Sequence, residues 1–499
     1  MKRYQRLCML MCGTLLLLDQ AIAQQEMEQS NPFKEDSIRI KGTIAGYQPG
    51  QTESYVKFSV CDPDGTSNRI AVAIQPDGSF DAVLARPVKG DIGLNYKEAY
   101  ISVYAEPGKE LSVAIDEKQM DFGKPNSNVF LVAGELAGIS NAMIRFQSEF
   151  NQHPFLLKAD AGYKEQSETT FALNRQAQLK EELQFFEAYV LKKRVGNQTF
   201  VVWQRNHLIY SAAKDIMYFA GSAKPKFEIS VPQLYQLLDQ IPVNSLTAWN
   251  NSAYYEFLSL LSATQMILIN MNPMYDDLKK NNGFNTLTLR LNHIDQIAKG
   301  LTRQLLYADN YFSAEQAGMS RGRMDSTVHN VYLKKRMIEK DNAADHVFKP
   351  YPVLEKIKSS NASIPVKKKL ADIFMKTRGS NLYLDFWGDW CAPCMQEMPN
   401  YPKLIQALKH KPIRFIFFAV RTTEDQMHHV QEKFKINADF IYLSNDEATV
   451  MNTILGFHAY PSHFLIDAAG MLVDTNPGYL AEAERVGPVT DAINRRFKW

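Results

Sequence analysis

Cys391 and Cys394 stand two residues apart in Trp390-Cys391-Ala392-Pro393-Cys394, directly after the apolar run Leu382-Tyr383-Leu384-Asp385-Phe386-Trp387. A hydrophobic strand that runs into two cysteines, with an amphipathic stretch behind them, sets the first thiol at a helix N-terminus. Unpaired backbone N–H groups and the helix dipole stabilise a thiolate there. A thiolate beside a second thiol is equipped for thiol–disulfide exchange. Metal binding is the rival use of two cysteines, but structural zinc needs four ligands. The chain has no second C-x-x-C, and His428-His429 is its only adjacent histidine pair, so no metal is expected. No glycine-rich phosphate loop or Ser/His/Asp order is marked, and no other cofactor is expected.

The remaining cysteines sharpen this reading. Residues 1–23 have the secretory pattern: basic Lys2, Arg3 and Arg6, an apolar Leu7–Leu18, and Ala21-Ile22-Ala23 as a small-x-small site. An apolar run of 12 residues closed by Asp19 is too short to span a bilayer. Cleavage after Ala23 is therefore expected, giving an exported, periplasmic protein that does not cross the membrane. Cys8 and Cys12 leave with that segment, and Cys61, Cys391 and Cys394 stay. Three cysteines in so large a chain are too few for a disulfide scaffold. Cys61 falls out of phase with Val56-Phe58-Val60, beside a turn; it reads as a small structural residue, with an additional redox thiol as the alternative. Losing Lys2, Arg3, Arg6 and Asp19 leaves 53 basic and 53 acidic residues, so no charge bias attracts nucleic acid or anionic lipid.

A chain of 499 residues exceeds one ordinary domain, and the length prior is roughly three. Residues 36–120 alternate apolar and polar positions, as in Ile38/Ile40, Val56-Phe58-Val60, Ile70-Val72-Ile74 and Leu111-Val113-Ile115. Turns such as Pro76-Asp77-Gly78 and Glu106-Pro107-Gly108 interrupt them. That pattern predicts an all-β domain, a small sandwich or a partly closed barrel, of which the sandwich is taken. Residues 134–342 switch to helical periodicity and predict an all-α region, with Tyr254, Tyr255, Phe257 and Met266 read as core and a binding groove as the alternative. Residues 343–366 read as a linker with some structure of its own. Residues 367–499 alternate strands and helices, which predicts a mixed α/β sheet covered by helices. One helix is expected from Cys391 to about Lys409, carrying Pro399.

Asp385-Phe386-Trp387-Gly388-Asp389-Trp390-Cys391-Ala392-Pro393-Cys394 resembles the active-site segment of the thioredoxin superfamily, and within it the exported TlpA/ResA-like thiol–disulfide oxidoreductases. Gly456-Phe457-His458-Ala459-Tyr460-Pro461-Ser462-His463-Phe464-Leu465-Ile466-Asp467 is similar to the family's second signature, a cis-proline before a strand ending in Asp. The layout of signal peptide, β-domain, helical insert and C-terminal thioredoxin fold also resembles a recurring Bacteroidetes type.

The resemblance implies roles. Cys391 is the exposed nucleophile, Cys394 the deeper resolving thiol, and the two form the redox-active disulfide. Asp385 is implied as a buried acid whose pKa desolvation raises, able to take the Cys394 proton; a strand-end Asp facing solvent is the other reading. Glu397 is either a proton relay or a solvated surface residue. Pro461 is implied to be cis, with the Tyr460 backbone pairing with an extended substrate, and Trp387 and Trp390 as an apolar collar. His458 and His463 default to surface or packing roles. The function implied is reduction or isomerisation of disulfides in exported proteins, fed by a membrane thiol carrier. The alternatives are a disulfide-donating oxidase, or a binding scaffold with an accessory thioredoxin-like module.

Overall fold

The structure, a computed structural model, describes residues 32–497 except positions 35, 51–52, 64, 66, 98, 121–128, 154–166, 222–228, 239–240, 281–285, 311–320, 346–349, 361, 458 and 481–484. The expected signal segment, with Cys8, Cys12 and Ala23, lies outside the described residues, as does His458. The chain divides into two compact units. One holds the described residues up to Gly46 with Phe58–Asn68 and Gly78–Ala343; the other holds Tyr47–Lys57, Arg69–Asp77 and the chain from Ala344.

The N-terminal region is β-rich. Its strands are β1 (Ser37–Ala45), β2 (Tyr55–Cys61), β3 (Ser67–Ala73), β4 (Ser79–Ala85), β5 (Gly90–Tyr96), β6 (Ala99–Ala105), β7 (Glu110–Asp116) and β8 (Phe130–Ala133). They form two four-stranded sheets, ordered β4-β1-β7-β8 and β3-β2-β5-β6. Alternation explains them: β1 buries Ile38, Ile40 and Ile44 and turns Arg39 outward, and β7 buries Leu111, Val113 and Ile115.

Helices follow. Ser167 caps Glu168–Lys193 by accepting from the Thr170 N–H, and Gln198–Gly221 and Ser252–Met271 carry the core of the region. Tyr254, Tyr255 and Phe257 are fully buried there, whereas Met266 is 39% exposed. Met266 therefore sits on the outer side of its helix, not in the core as its type suggested.

The second unit contains a six-stranded mixed sheet. To β10 (Asn381–Trp387) are added β9 (Tyr351–Pro352), β11 (Ile413–Val420), β12 (Asp439–Leu443), β13 (Ser462–Ile466) and β14 (Met471–Asp474), in the order β12-β11-β10-β13-β14-β9. β10 runs parallel to β11 and antiparallel to β13. β10 and β11 are buried along almost their whole length, as central strands covered on both faces must be. Capping boxes at Thr423/Gln426 and Ser444/Glu447 start the helices Glu424–Phe434 and Asn445–Leu455.

Within 343–366, read as a linker with some structure of its own, β9 pairs with β14, and the helix Val353–Ser359 buries Val353 and Ile357, one turn apart. One expectation needs correction here. The expected single helix after Cys391 is three pieces, Ala392–Glu397, a 3-10 turn Met398–Asn400, and Tyr401–Ala407. Pro399 and Pro402 each remove a helical N–H donor, so the chain breaks instead of merely bending.

The period of two along the central strands sorts side chains between two cores. Leu382, Leu384, Phe386, Ile416 and Phe418 join one apolar cluster with Phe464 and Ile466. Tyr383, Trp387, Phe415, Phe417 and Leu465 join the other, with Cys391, Cys394, Met398 and Tyr401. Asp385 and His463 have the parity of this second set.

Candidate active site

Cys391 and Cys394 are joined by a disulfide. Cys391 is the N-cap of the Ala392–Glu397 helix, with its Sγ 3.2 Å from the Cys394 N–H, and Pro393 lies in the first turn, where its missing N–H is not needed. The loop before them is pinned to the end of β11. Trp390 Nε1 donates to the Val420 carbonyl at 2.9 Å, and the Asp389 N–H donates to Thr422 Oγ1 at 3.1 Å. Gly388 permits this close approach: a Cβ there would lie 2.3 Å from Trp390 Nε1 and 2.8 Å from the Val420 oxygen.

The two motifs meet at the surface. The Trp390 indole is 48% exposed and stands edge-on to the Tyr460 ring, centroids 5.4 Å apart. The Arg421 guanidinium lies 5.9 Å from the Trp390 ring centroid. The Tyr460–Pro461 peptide bond is cis. The other half of the expected collar is absent, because Trp387 is fully buried, edge-on to Phe440. Trp387 ends a strand buried on both faces, so it packs the core and cannot touch a substrate. Cys391 is also less open than an exposed nucleophile, at 4% exposure, because the disulfide belongs to the apolar cluster of Met398 and Tyr401.

A polar group lies within the same core. Asp385 is 1% exposed and pairs across the sheet with His463. Glu397, one turn beyond Cys394, is 1% exposed. The solvent-facing readings of both acids are therefore wrong: β10 is covered on both sides, and Glu397 points inward from its helix. Glu397 Oε1 accepts from the Leu480 N–H, and Asn400 donates to the Leu480 carbonyl at 2.7 Å. His463 Nε2 lies 3.1 Å from Glu397 Oε2, 3.4 Å from Asp385 Oδ1 and 3.1 Å from Tyr401 Oη.

Burial raises the pKa of Asp385, with hydrogen bonding and attraction from His463 opposing it. Burial pulls the His463 imidazolium down, but hydrogen bonds to, and the charges of, Asp385 and Glu397 win and push it up to about 10. Two buried acids thus share one nitrogen of a base. Sequence reasoning missed His463. The available signal was its phase: in Ser462–Ile466 it alternates with Leu465, on the face opposite Phe464.

Residues 379–472 match the family model described as thioredoxin-like. This segment belongs to the thioredoxin superfamily. It is ResA-like within it: a thiol-disulfide oxidoreductase ResA from Bacillus cereus is 28% identical over 97 residues, 19% of this chain and 54% of that protein. A thioredoxin-like protein, YneN, from Bacillus subtilis is 24% identical over 109 residues, 21% of this chain and 62% of that protein. The thioredoxin domain of a thiol-disulfide oxidoreductase from Bacteroides vulgatus aligns at 18% identity over 24% of this chain and 81% of that one, with a TM-score of 0.22. The chain spans about half the length of the curated relatives it matches. Among the described residues, no helix of the chain is long and apolar enough to cross a membrane.

Proposed function

We propose that the protein is an exported, periplasmic thiol–disulfide oxidoreductase that reduces, or isomerises, disulfides of other exported proteins through Cys391 and Cys394. The observation that carries this reading is the convergence of the two motifs. The Cys391–Cys394 disulfide and the Tyr460–Pro461 loop meet at Trp390, with Asp385 and Glu397 buried behind them. The thiol-disulfide oxidoreductase name of the ResA relatives supports it.

In the reduced protein the Cys391 thiolate attacks one sulfur of a client disulfide. A mixed disulfide forms, and the other client sulfur leaves as a thiolate and takes a proton from solvent. Cys394 gives its proton to the Asp385 carboxylate while its sulfur attacks Cys391. The Cys391–Cys394 disulfide forms, the second client sulfur leaves and is protonated, and two electrons have passed to the client. The Tyr460 backbone pairs with the client chain beside Pro461, and Trp390 supplies the apolar rim. A membrane thiol carrier returns the electrons, since an oxidising compartment does not. In this reading residues 36–120 are a sandwich domain, 134–342 a helical domain and 367–499 the redox domain.

Trapping tests it. A Cys394→Ala variant of the full chain stops at the mixed disulfide. Client proteins should remain linked to Cys391, be released by reductant, and be missing when Cys391 is also replaced by Ala. No adduct, or the same adducts in the double variant, overturns the reading.

A further inference from the structure

We propose that His463 is a positioning residue of the redox site: its imidazole joins Asp385 and Glu397 into one buried proton-exchange unit that serves Cys394. The proposal rests on the oxidoreductase reading above and deepens it. The three side chains come from three elements, β10, β13 and the helix that carries Cys394, and none is more than 2% exposed.

Three observations carry it. First, both carboxylates lie within 3.4 Å of one imidazole nitrogen. Two carboxylates held that close in an apolar core cannot both be ionised unless a cation stands between them. His463 is the group in that place.

Second, the hydrogen bonds of the unit do not close. Among the described residues, Asp385 Oδ1 and Glu397 Oε2 have no partner but the one His463 nitrogen they share, and buried His463 Nδ1 has none, although Glu397 Oε1 is satisfied by Leu480. Buried polar groups of structural cores are normally satisfied. Here the oxygens left open are those that face the ring.

Third, the unit shares its elements with the dithiol. Glu397 is one helical turn from Cys394, and Asp385 lies on the strand that leads to Cys391, on the face that joins the cysteine cluster.

The charge account follows. Before resolution Asp385 and Glu397 are anions and His463 is a cation, so the unit carries one net negative charge beside the Cys394 thiol. When Asp385 takes that proton, the neutral acid and the His463–Glu397 ion pair remain, and no net charge is stranded in the core. Without His463 the carboxyl pKa values rise, so Asp385 stays protonated to higher pH and is not free there to accept the thiol's proton. The ionisable groups that face the ring are Asp385 and Tyr383 of β10, Glu397 of the cysteine helix, Tyr401 of the next helix, and Tyr479 after β14. The two tyrosines buried beside it, Tyr383 and Tyr401, are kept neutral chiefly by burial.

Two measurements on the full chain test this. In the oxidised protein with ring-labelled histidine, the His463 NMR resonance, assigned by its loss in His463→Gln, should stay in its imidazolium position from about pH 5 to about pH 8; titration near the ordinary value of about 6.5 overturns the proposal. The pH–rate profile for reduction of a disulfide-bonded model peptide gives the second. Removing the cation raises the carboxyl pKa, so in His463→Leu the acid limb should move to higher pH by at least about one unit, with roughly a tenfold loss at pH 7. His463→Lys should move it back. An unmoved limb in folded His463→Leu overturns the proposal, and if that variant does not fold the NMR titration decides alone. A wild-type chain that reduces no disulfide overturns the oxidoreductase reading instead, and leaves the titration to judge His463.

Discussion

Asp91 and Asp385 are both buried in the core of this chain, one in each unit, and they have opposite characters. Asp91 is saturated. Trp203 Nε1 donates to it at 3.1 Å, the Ser252 N–H at 2.9 Å, and the Ser252 hydroxyl at close range. Burial raises its pKa, but Arg86, His207 and Ser252 outweigh burial and hold the carboxyl below its ordinary value. Asp385 Oδ1 has, among the described residues, only the His463 nitrogen that Glu397 also faces, and burial holds the carboxyl above its ordinary value. Depth alone makes neither a strut nor a base. Asp91 fastens β5 to the helices around Trp203 and Ser252. Asp385 keeps capacity to bind a proton.

The largest effect expected from this contrast is structural. Asp91→Ala removes the acceptor of Trp203 and Ser252 and the negative charge beside buried Arg86, and should cost about 3–5 kcal/mol, read as a lower denaturation midpoint. The folded fraction should exchange disulfides at the wild-type rate.

Asp385→Asn should do the reverse, slowing resolution of the mixed disulfide by about 10²-fold with no loss of stability at about pH 8. The signs follow from linkage. Asp91, with its folded pKa lowered, contributes stability above the unfolded pKa that is lost as pH falls through the folded value. Asp385, with its folded pKa raised, contributes stability that is complete below the unfolded pKa and lost as pH rises through the folded value. Denaturation profiles of the two variants against wild type should diverge toward opposite ends of the pH range. Parallel profiles would erase the distinction.

The smallest effect extends the contrast to thiols. Burial, and next the Glu256 charge, push the Cys61 thiol well above its ordinary value, whereas Cys391, equally buried, stands at a helix N-terminus that favours the thiolate. After mild reduction, an alkylating reagent should label Cys391 in the native protein and leave Cys61 unlabelled by mass spectrometry. Cys61→Ala should not change disulfide exchange.

What the sequence made legible was local. The C-x-x-C between an apolar run and an amphipathic stretch, and the Tyr460-Pro461 signature, identify the site's two loops because their spacing is contiguous in the chain. The alternating strands and helices of the C-terminal segment and the change from β-rich to helical are legible from periodicity, and its thioredoxin likeness from the resemblance of its two motifs. Less legible was whatever depends on a second strand or helix. Glu397 reads as a surface residue until the Leu480 backbone is folded over it. Trp387 reads as part of a collar until both faces of β10 are covered. His463 reads as ordinary until β13 is laid beside β10 in the register that sets it opposite Asp385. Each error concerns a partner far away in the chain, where side-chain type alone carries no information about burial.

The alternation along β10 has a last consequence, for how this site tolerates insertion and deletion. Tyr383, Asp385 and Trp387 share a face because they are odd positions of one strand, and Leu382, Leu384 and Phe386 share the other. One residue added or lost ahead of Asp385 within β10 would exchange the two sets. The carboxyl would then enter the wholly apolar cluster of Leu384 and Phe464, with every residue type retained and the chemistry gone. Change of length is thus a sterner filter on β10 than change of identity, and the site is inherited as a parity.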